Sequence, residues 1–460
     1  MGALAGLLRE LGHDVSGSDN AFHPPMNQVL VRAGVTTYDG YDPKHLEPAP
    51  DLIVVGNVCR PDNPEARAAI DRGLSVVSMP GSLRKLVLHG RPVLVIAGTH
   101  GKTTTTALAA WLLDRVSSQK PGFLIGGVPR DLPAGARIGE LSAPFVIEGD
   151  EYDSAFFEKT PKLWQYNPQA AVITSIEHDH VDIYPSEQTY REAFEHFVRL
   201  IPESGLLVAF AGDPLVRAVM QEARCRVVTY GLTEDDCGEL TPSWQAAIAP
   251  IVGDMQQFDL FLGGSACGRA MTSLPGKHNV RNVLAALALS VECAGASLSD
   301  LLRALPSFRG VGRRQELIGT PRGIAVYDDF AHHPTAVRET LAALRAKHSH
   351  GQLIAIFEPR SATACRKLHE EQYKISFNAA DLVFLAQTGR PEVPPSEQLD
   401  VEAVVATFSQ TGKQAFVGKD IDAIVLAVAQ VAARGDTVVI MSNGPFGGIH
   451  TKLLAALAPS

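Results

Sequence analysis

The segment from Val93 to Ala107 constrains this chain more than any other, because it has the pattern of a strand, a glycine loop and a helix in immediate succession. Val93–Ala97 is an unbroken apolar run, and Gly98-Thr-His-Gly-Lys-Thr103 follows it directly. The first N–H groups of a helix have no partners within the helix, and the helix dipole favours negative charge there. The pattern therefore predicts an anion site where the loop meets the helix.

The residue types of this loop are those that a nucleotide phosphate needs. Gly98 and Gly101 let the backbone approach a phosphate closely, Lys102 supplies a positive charge, and Thr103 supplies a hydroxyl for a phosphate-bound Mg²⁺. The full phosphate-loop spacing would require glycine where Ile96 stands. A glycine-rich turn that carries a lysine without a ligand is the alternative, but the flanking strand and helix favour a nucleotide phosphate site.

Composition narrows the class of protein. A chain of 460 residues is too long for one ordinary core, so about two to four domains are expected. A net charge of −9 argues against a nucleic-acid-binding surface, and no apolar run approaches the ~18 residues of a membrane span. The N-terminus lacks the regions of a secretory signal, which predicts a cytoplasmic protein with no membrane contact. No feature indicates an obligate protein partner, and the six cysteines have no C-x-x-C pair, so they are expected to be reduced thiols.

The first ninety residues predict part of a nucleotide-binding α/β unit. An amphipathic helix closed by Gly12, then a short strand ending at Asp19, matches the second half of a Rossmann-type unit, in which the acid meets a sugar hydroxyl. A turn or helix-capping role for Asp19 is the alternative. The strand and glycine loop expected before the helix are absent, so either the true start lies upstream of Met1 or the domain lacks an edge of its nucleotide site. Apolar strands in 51–57 and 74–78 predict a parallel layer.

Acidic and histidine side chains follow two predicted central strands. The run Phe145–Asp153 passes from an apolar strand to Glu148 and further acids, and Ala171–Asp182 repeats this pattern with Glu-His-Asp-His. In parallel sheets ligands bind at the carboxyl ends of strands, and carboxylates beside a phosphate loop suit Mg²⁺. A cluster of this kind also suits Zn²⁺ or a two-metal hydrolase site, and a solvated acidic loop is the alternative for Asp153 and Asp182. The phosphate loop favours Mg²⁺.

Three apolar runs near the C-terminus predict a second doubly wound sheet, because a polar or glycine-rich segment and then a helical pattern follow each of them. These runs and the segments after them are Ile324–Tyr327 with Asp328-Asp-Phe-Ala-His-His-Pro-Thr335, Leu353–Phe357 with Glu358-Pro-Arg-Ser361, and Thr437–Met441 with Ser442-Asn-Gly-Pro-Phe-Gly-Gly-Ile-His450.

Four motifs in this order resemble those of the Mur ligase family, the ATP-dependent amide-forming enzymes of peptidoglycan assembly. They are Gly98-Thr-His-Gly-Lys-Thr103, Glu148-Gly-Asp-Glu151, Glu177-His-Asp-His180 and Gly276-Lys-His-Asn-Val-Arg-Asn282. The resemblance implies a three-domain α/β protein. Residues 1–90 would form a Rossmann-like UDP-sugar domain without its first strand, residues 91–310 a central P-loop ATPase-type α/β sheet, and residues 311–460 a Rossmann-like C-terminal domain.

The resemblance also assigns roles to individual residues. Those implied to bind ATP are Gly98, Thr99, His100, Gly101, Lys102, Thr103, Thr104, His278, Asn279, Asn282 and Arg314. Those implied to hold Mg²⁺ are Thr103, Glu148 and His180, and those implied to act in catalysis are Lys102, Glu148, His180, Arg314 and His332. The implied substrate contacts are Asp19, Asp329, Phe330, His332, Arg360 and Arg366, with guanidinium groups suited to the carboxylates of a peptide.

Within the family, the motif Asp328-Asp-Phe-Ala-His-His-Pro334 resembles that of the members that use UDP-N-acetylmuramate as their carboxyl substrate. The alanine-adding members have tyrosine at the position of Phe330 and arginines at the positions of Ser361 and Ala364, which this chain lacks. The segments after residues 357 and 441 instead resemble ligases that add the recycled tripeptide L-Ala-γ-D-Glu-meso-diaminopimelate. The alternatives are an alanine-adding ligase, a P-loop protein that binds nucleotide without ligating anything, and a metal-dependent hydrolase.

Overall fold

A computed structural model describes residues 1–23, 26–390, 392–410 and 413–458 of the chain. Strands and helices alternate along most of this length, as the sequence pattern predicts. Among these residues, no helix combines the length and the apolar character that a membrane span requires.

The N-terminal segment forms two parallel strand pairs, β1 with β2 and β3 with β4. In the part of the chain that the structure describes, β1 and β3 are not hydrogen-bonded to each other, so the predicted parallel layer is present as two separate pairs. The buried leucines of α1 pack in one cluster with residues of the next sheet. The elements are α1 (Gly2–Glu10), β1 (Ser16–Asp19), α2 (Met26–Arg32), β2 (Thr36–Asp39), β3 (Ile53–Val55), α3 (Pro64–Asp71), β4 (Val76–Ser78) and α4 (Met79–Leu86).

The central segment is built on a ten-stranded sheet with the order β16-β15-β14-β13-β12-β11-β5-β8-β6-β7. A short hairpin of β9 and β10 lies outside this sheet. The elements are β5 (Val93–Ala97), α5 (Lys102–Val116), β6 (Gly122–Leu124), β7 (Ala136–Arg137), β8 (Phe145–Glu148), β9 (Asp153–Ala155), β10 (Glu158–Pro161), β11 (Ala170–Ile173), α6 (Glu187–Arg199), β12 (Leu206–Phe210), α7 (Pro214–Val219), β13 (Arg226–Leu232), β14 (Trp244–Val252), β15 (Met255–Leu262), β16 (Ser265–Thr272), α8 (Lys277–Glu292) and α9 (Leu298–Ala304).

Strand β5 lies inside this sheet, between β11 and β8, and pairs in parallel with both. Every residue of β5 is buried, because helices cover both faces of the sheet. Leu94 and Ile96 pack with α5 and α8 on one face, and Val93 and Val95 pack with α6 on the other. The unbroken apolar run in the sequence thus follows from burial on two sides, and it places the carboxyl end of β5 beside those of β8 and β11.

The C-terminal segment forms a six-stranded sheet with the order β17-β18-β22-β19-β20-β21, in which only β17 is antiparallel to its neighbour. Clusters of buried apolar side chains fill both faces of this sheet. The elements are β17 (Glu316–Gly319), β18 (Ala325–Asp329), α10 (Pro334–Lys347), β19 (Leu353–Phe357), α11 (Glu370–Ser376), β20 (Leu382–Leu385), α12 (Val401–Gln410), β21 (Gln414–Val417), α13 (Ile421–Val431), β22 (Thr437–Met441) and α14 (Ile449–Ala456).

Candidate active site

The predicted strand, glycine loop and helix are confirmed, with β5 ending at Ala97 and α5 beginning at Lys102. Gly98 and Gly101 have φ values of +124° and +81°, where side chains are disfavoured. A Cβ atom on Gly98 would lie 2.3 Å from the Thr174 hydroxyl, and one on Gly101 would lie 2.4 Å from the Asn282 side-chain oxygen. Both glycines are therefore required by conformation and by close packing, and the loop leaves the first N–H groups of α5 open to a ligand.

Lys102 is held in a buried ion pair. Its Nζ atom lies 2.9 Å from Glu151 Oε1 and donates to the Gly98 carbonyl at 2.5 Å. The Glu151 side chain is fully buried, and its Oε2 atom has no hydrogen-bond partner among the residues that the structure describes. Burial raises the pKa of Glu151 to about 7, although the Lys102 charge opposes this shift. The ammonium that faces the phosphate site therefore has a buried carboxyl group as its partner.

Thr103, Glu148 and Arg314 meet at the start of α5. The Thr103 hydroxyl donates to Glu148 Oε1 at 2.9 Å, and Arg314 Nη2 donates to Thr103 Oγ1 at 3.2 Å. The second carboxylate oxygen of Glu148 accepts the Gly126 N–H at 2.8 Å. A hydroxyl and a carboxylate this close form an oxygen donor set of the kind that Mg²⁺ prefers. Arg314 comes from the segment after α9, so two parts of the chain form this corner.

His180 lies after β11 in a left-handed backbone conformation, with φ of +54°. Its ring centroid is 4.2 Å from that of Tyr152, and burial lowers the pKa of the imidazole. At neutral pH the ring is therefore neutral, the form in which histidine binds metals. The neighbouring Asp179 is buried and accepts a hydrogen bond from Thr363 of the C-terminal segment at 2.5 Å.

The residues expected near adenine line the first turns of α8. Asn279 Nδ2 donates to the Pro275 carbonyl at 2.8 Å, and Asn282 Nδ2 lies 3.3 Å from Asn279 Oδ1. His278 Nε2 is 3.2 Å from Gln315 Nε2. The two asparagines are buried, so part of their role is to fix the start of α8 against the glycine loop.

Asp329 and Phe330 organise the turn after β18. The two oxygens of Asp329 each accept a backbone N–H at 2.7 Å, one from Gln315 and the other from Ala331. Burial raises the pKa of Asp329. The Arg314 guanidinium lies 4.8 Å from the centroid of the Phe330 ring. In the described structure Asp329 therefore holds the backbone of two loops, and Phe330 supports Arg314.

His332 and the three remaining candidates have different surroundings. His332 Nδ1 lies 3.0 Å from the Phe330 carbonyl, and its Nε2 is 3.8 Å from Asp179 Oδ2. Arg360 is 3.6 Å from Glu358, and Arg366 donates to the Ala362 carbonyl at 2.7 Å. Asp19 is exposed and accepts the N–H of the next residue.

A cleft of about 1520 Å³ separates the central segment from the C-terminal segment and brings most candidates together. The candidates that line it are Thr99, His100, Gly101, Lys102, Thr103, Thr104, Glu148, His180, His278, Asn279, Asn282, Arg314, Asp329, Phe330 and His332. Gly98, the first residue of the loop, is not part of the lining. Asp19, Arg360 and Arg366 are not part of the lining.

Sequence reasoning did not single out several groups that the cleft contains. Glu151, Gln315, His333 and His369 all line it. Glu151 belongs to the motif Glu148-Gly-Asp-Glu151, and His333 directly follows His332, so both had a local signal. Gln315 and His369 had none, because their positions depend on how the C-terminal segment packs.

Comparisons with known proteins match this arrangement along the whole chain. Residues 1–91 match the model of the Mur ligase family catalytic domain, residues 96–290 the Mur ligase middle domain, and residues 313–444 the Mur ligase glutamate ligase domain. The chain is 40% identical over 460 residues to the UDP-N-acetylmuramate–L-alanyl-γ-D-glutamyl-meso-2,6-diaminoheptandioate ligase of Escherichia coli (strain K12). The aligned region covers 100% of this chain and 96% of that protein.

The chain is also similar to a solved structure and to a second curated relative. The crystal structure of a murein peptide ligase from Psychrobacter arcticus 273-4 superposes with a TM-score of 0.71 at 35% identity, covering 100% of this chain and 97% of that one. A UDP-N-acetylmuramate–L-alanine ligase of Roseiflexus sp. (strain RS-1) is 37% identical over 395 residues, which is 83% of this chain and 81% of that protein.

Proposed function

Because the chain belongs to the Mur ligase family, we propose that it is an ATP-dependent ligase of peptidoglycan recycling. It joins the carboxylate of UDP-N-acetylmuramate to the free amine of the tripeptide L-Ala-γ-D-Glu-meso-diaminopimelate. The observation that carries this proposal is the match over the full chain to the E. coli ligase named for the same two substrates. The ligase chemistry draws further support from the cleft, where Lys102 and Arg314 converge on the glycine loop.

ATP is the phosphoryl donor in this proposal. The N–H groups at the start of α5 and the Lys102 ammonium receive its phosphates, and Arg314 reaches them from the other side of the cleft. The region near His278, Asn279 and Asn282 takes the adenine. Arginine suits the position of Arg314 beside the phosphates, because its planar guanidinium is always charged and can bind two phosphate oxygens at once.

The residues present fit a Mg²⁺ ion. Thr103 Oγ1 and the Glu148 carboxylate lie 2.9 Å apart and would hold one ion, and neutral His180 would hold a second. When bound, such ions neutralise charge on the phosphates. The chain itself fixes these donors before the nucleotide arrives, since Gly126 and Arg314 hydrogen-bond to Glu148 and Thr103.

The reaction has two steps with balanced bonds. A muramate carboxylate oxygen attacks the γ-phosphorus, and the bond from the γ-phosphorus to the oxygen that bridges the β- and γ-phosphates breaks. The products of this step are an acyl phosphate and ADP. The tripeptide amine then attacks the acyl carbon, the carbon–oxygen bond to phosphate breaks, and the amine loses a proton. The chain contributes positioning and positive charge to both steps, and the two-sided cleft limits water that would hydrolyse the acyl phosphate.

The tripeptide, rather than alanine, is the amine substrate in this proposal. Positions 361 and 364 carry buried serine and alanine, and the Ser361 hydroxyl accepts the Ala364 N–H at 2.9 Å. No guanidinium therefore stands where alanine-adding relatives present arginines. Arg360 is assigned to a carboxylate of the tripeptide, and Arg366 is a second candidate for this role. His332 and Asp329, which line the cleft, are assigned to the acceptor amine or the muramate end.

We further propose that the chain has three domains, 1–90, 91–310 and 311–460. The division is supported by the separate strand pairs, ten-stranded sheet and six-stranded sheet. Asp19, at the end of β1 in the first domain, is assigned to the UDP-sugar.

Oxygen transfer tests the proposed chemistry. The enzyme is incubated with ATP, Mg²⁺, the tripeptide and UDP-N-acetylmuramate labelled with ¹⁸O in its carboxylate. The account predicts one labelled oxygen in each phosphate released, together with a product of the mass of UDP-muramoyl-tripeptide. A product without label in the phosphate would exclude the acyl phosphate. ATP binding without any product would favour the non-ligating alternative, and turnover without ATP would favour the hydrolase.

A further inference from the structure

Three metal-binding side chains from separate motifs converge beside the nucleotide loop. His100 lies in the glycine loop, Glu177 follows β11, and His333 precedes α10 in the C-terminal segment. Glu177 Oε2 is 3.2 Å from His100 Nε2 and 3.2 Å from His333 Nδ1. One ligand atom from each residue lies within 4.8 Å of those of the other two. Two imidazoles and a carboxylate thus lie close together where the central segment meets the C-terminal segment.

The Glu177 carboxylate lies between two histidine rings. His333 Nδ1 lies 3.2 Å from Glu177 Oε2 and accepts the Thr335 N–H at 3.4 Å as the cap of α10, so an ion bound at Nδ1 would replace this long cap contact. Among the ion pairs of the described residues, the Glu177 carboxylate has only these two histidines as partners, with neither lysine nor arginine.

We propose that His100, Glu177 and His333 bind a Zn²⁺ ion. Two histidines and one glutamate are a known ligand set for zinc, and imidazole nitrogen suits zinc better than it suits Mg²⁺. Ligands about 2.0–2.1 Å from a tetrahedral ion are roughly 3.4 Å apart. The two separations of 3.2 Å are already near this value.

This zinc site is distinct from the oxygen donors of Thr103 and Glu148. All three ligands line the cleft, which leaves a fourth position open to solvent or to a substrate group. The ion connects the glycine loop and the β11 turn to the first turn of α10. Bound zinc is therefore expected to stabilise the contact between the central and C-terminal segments. The inference does not depend on which amine the enzyme uses.

Metal titration tests the site. The full chain is freed of metal with a chelator and titrated with Co²⁺, a visible-light probe for zinc sites, in excess Mg²⁺. One equivalent is expected to bind with the intense visible absorption of a four-coordinate ion, and Zn²⁺ is expected to displace it. His100→Asn and Glu177→Gln should each weaken binding at least about tenfold. The His100 ring is part-exposed, so its variant tests the proposal even where a change at buried His333 impairs folding.

Two matched variants serve as controls. His369→Asn removes a ring whose centroid is 4.7 Å from that of His333 but which supplies no ligand, and Glu148→Gln alters the oxygen site. Both should bind Co²⁺ within about twofold of the wild-type affinity, and Zn²⁺ should raise the unfolding temperature of the wild-type chain but not of His100→Asn. Failure of the wild-type chain to bind Co²⁺, or equal binding by His100→Asn and Glu177→Gln, would overturn the proposal whether or not the ligase reaction is found.

Discussion

Lys102 Nζ lies 2.9 Å from Glu151 Oε1, and this ion pair joins the nucleotide loop to the turn after β8. The lysine side chain is 14% exposed and the glutamate is fully buried. A charge of either sign left alone here would be costly, because the surroundings cannot solvate it. The pair therefore holds the ammonium at the phosphate site before a nucleotide binds, and the following two predictions depend on it.

The first prediction concerns pH and stability. The fold raises the pKa of Glu151 from its ordinary 4.5 to about 7, so the folded state holds this proton more tightly than the unfolded state does. The resulting contribution to stability is fully present below about pH 4.5 and is lost as the pH rises to about 7. The free energy of unfolding of the wild-type chain, minus that of Glu151→Gln, should fall by about 3 kcal/mol over this range. Urea titrations at several pH values measure it, and a difference independent of pH would contradict the raised pKa.

The second prediction separates stability from turnover at Lys102. Lys102→Ala should abolish product formation, because the positive charge at the phosphates is lost. It should also lower the free energy of unfolding by about 3 kcal/mol, since Glu151 is left buried without its partner. Adding Glu151→Gln should restore most of the stability and none of the turnover. Lys120→Ala, at an exposed ion pair with Asp114, is the control and should change stability by less than ~0.5 kcal/mol. Recovery of turnover in the double variant would refute the role of Lys102.

The third prediction concerns the glycine loop. Gly101→Ala should weaken ATP binding at least about tenfold, because its Cβ would collide with Asn282 and its φ is +81°. Gly253→Ala is matched to it, with φ of +60° but open space around the added atom. That control should cost about 1 kcal/mol of stability and leave the ATP dissociation constant unchanged. Calorimetry on both variants decides the point, and equal ATP affinities would show that the loop does not cradle the nucleotide.

The fourth prediction concerns the peptide carboxylates. Arg360→Ala should raise the KM for tripeptide about tenfold, the loss expected for a charged hydrogen bond, and should change the KM for ATP by less than about twofold. Arg199→Ala removes a guanidinium of similar exposure from α6, where it pairs with Glu222, and should change neither constant. Steady-state kinetics with each substrate varied in turn give both values. Equal effects on the two KM values would remove Arg360 from the peptide site.

Local patterns predicted the parts of the fold that local interactions determine. Val93–Ala97 is buried on both faces, so its apolar run identified β5, and Gly101 and Pro334 marked the starts of α5 and α10. The antiparallel strands β14 to β16 at the edge of the central sheet were not predicted, because each has one partly exposed face and a weaker pattern. The separate pairing of β1 with β2 and of β3 with β4 was also not predicted, because strand pairing is a long-range property.

In the site, too, residues within local motifs were predicted, whereas contacts that depend on long-range packing were not. Lys102 and Glu148 were found because each lies in a motif at the end of a strand. The partner of Lys102 was missed, because the motif that contains Glu151 does not show which of its acids turns inward to a fully buried position. The contact of Glu177 with His333 joins residues more than 150 positions apart, and only packing of the C-terminal segment creates it.

The measurement that tests the central claim most directly compares two amine substrates. Phosphate release is followed with ATP, Mg²⁺ and UDP-N-acetylmuramate, with L-alanine in one reaction and L-Ala-γ-D-Glu-meso-diaminopimelate in the other. The account predicts release only with the tripeptide, together with a product of the mass of UDP-muramoyl-tripeptide. Release with L-alanine and none with the tripeptide would contradict it and would assign the chain to the alanine-adding branch of the family.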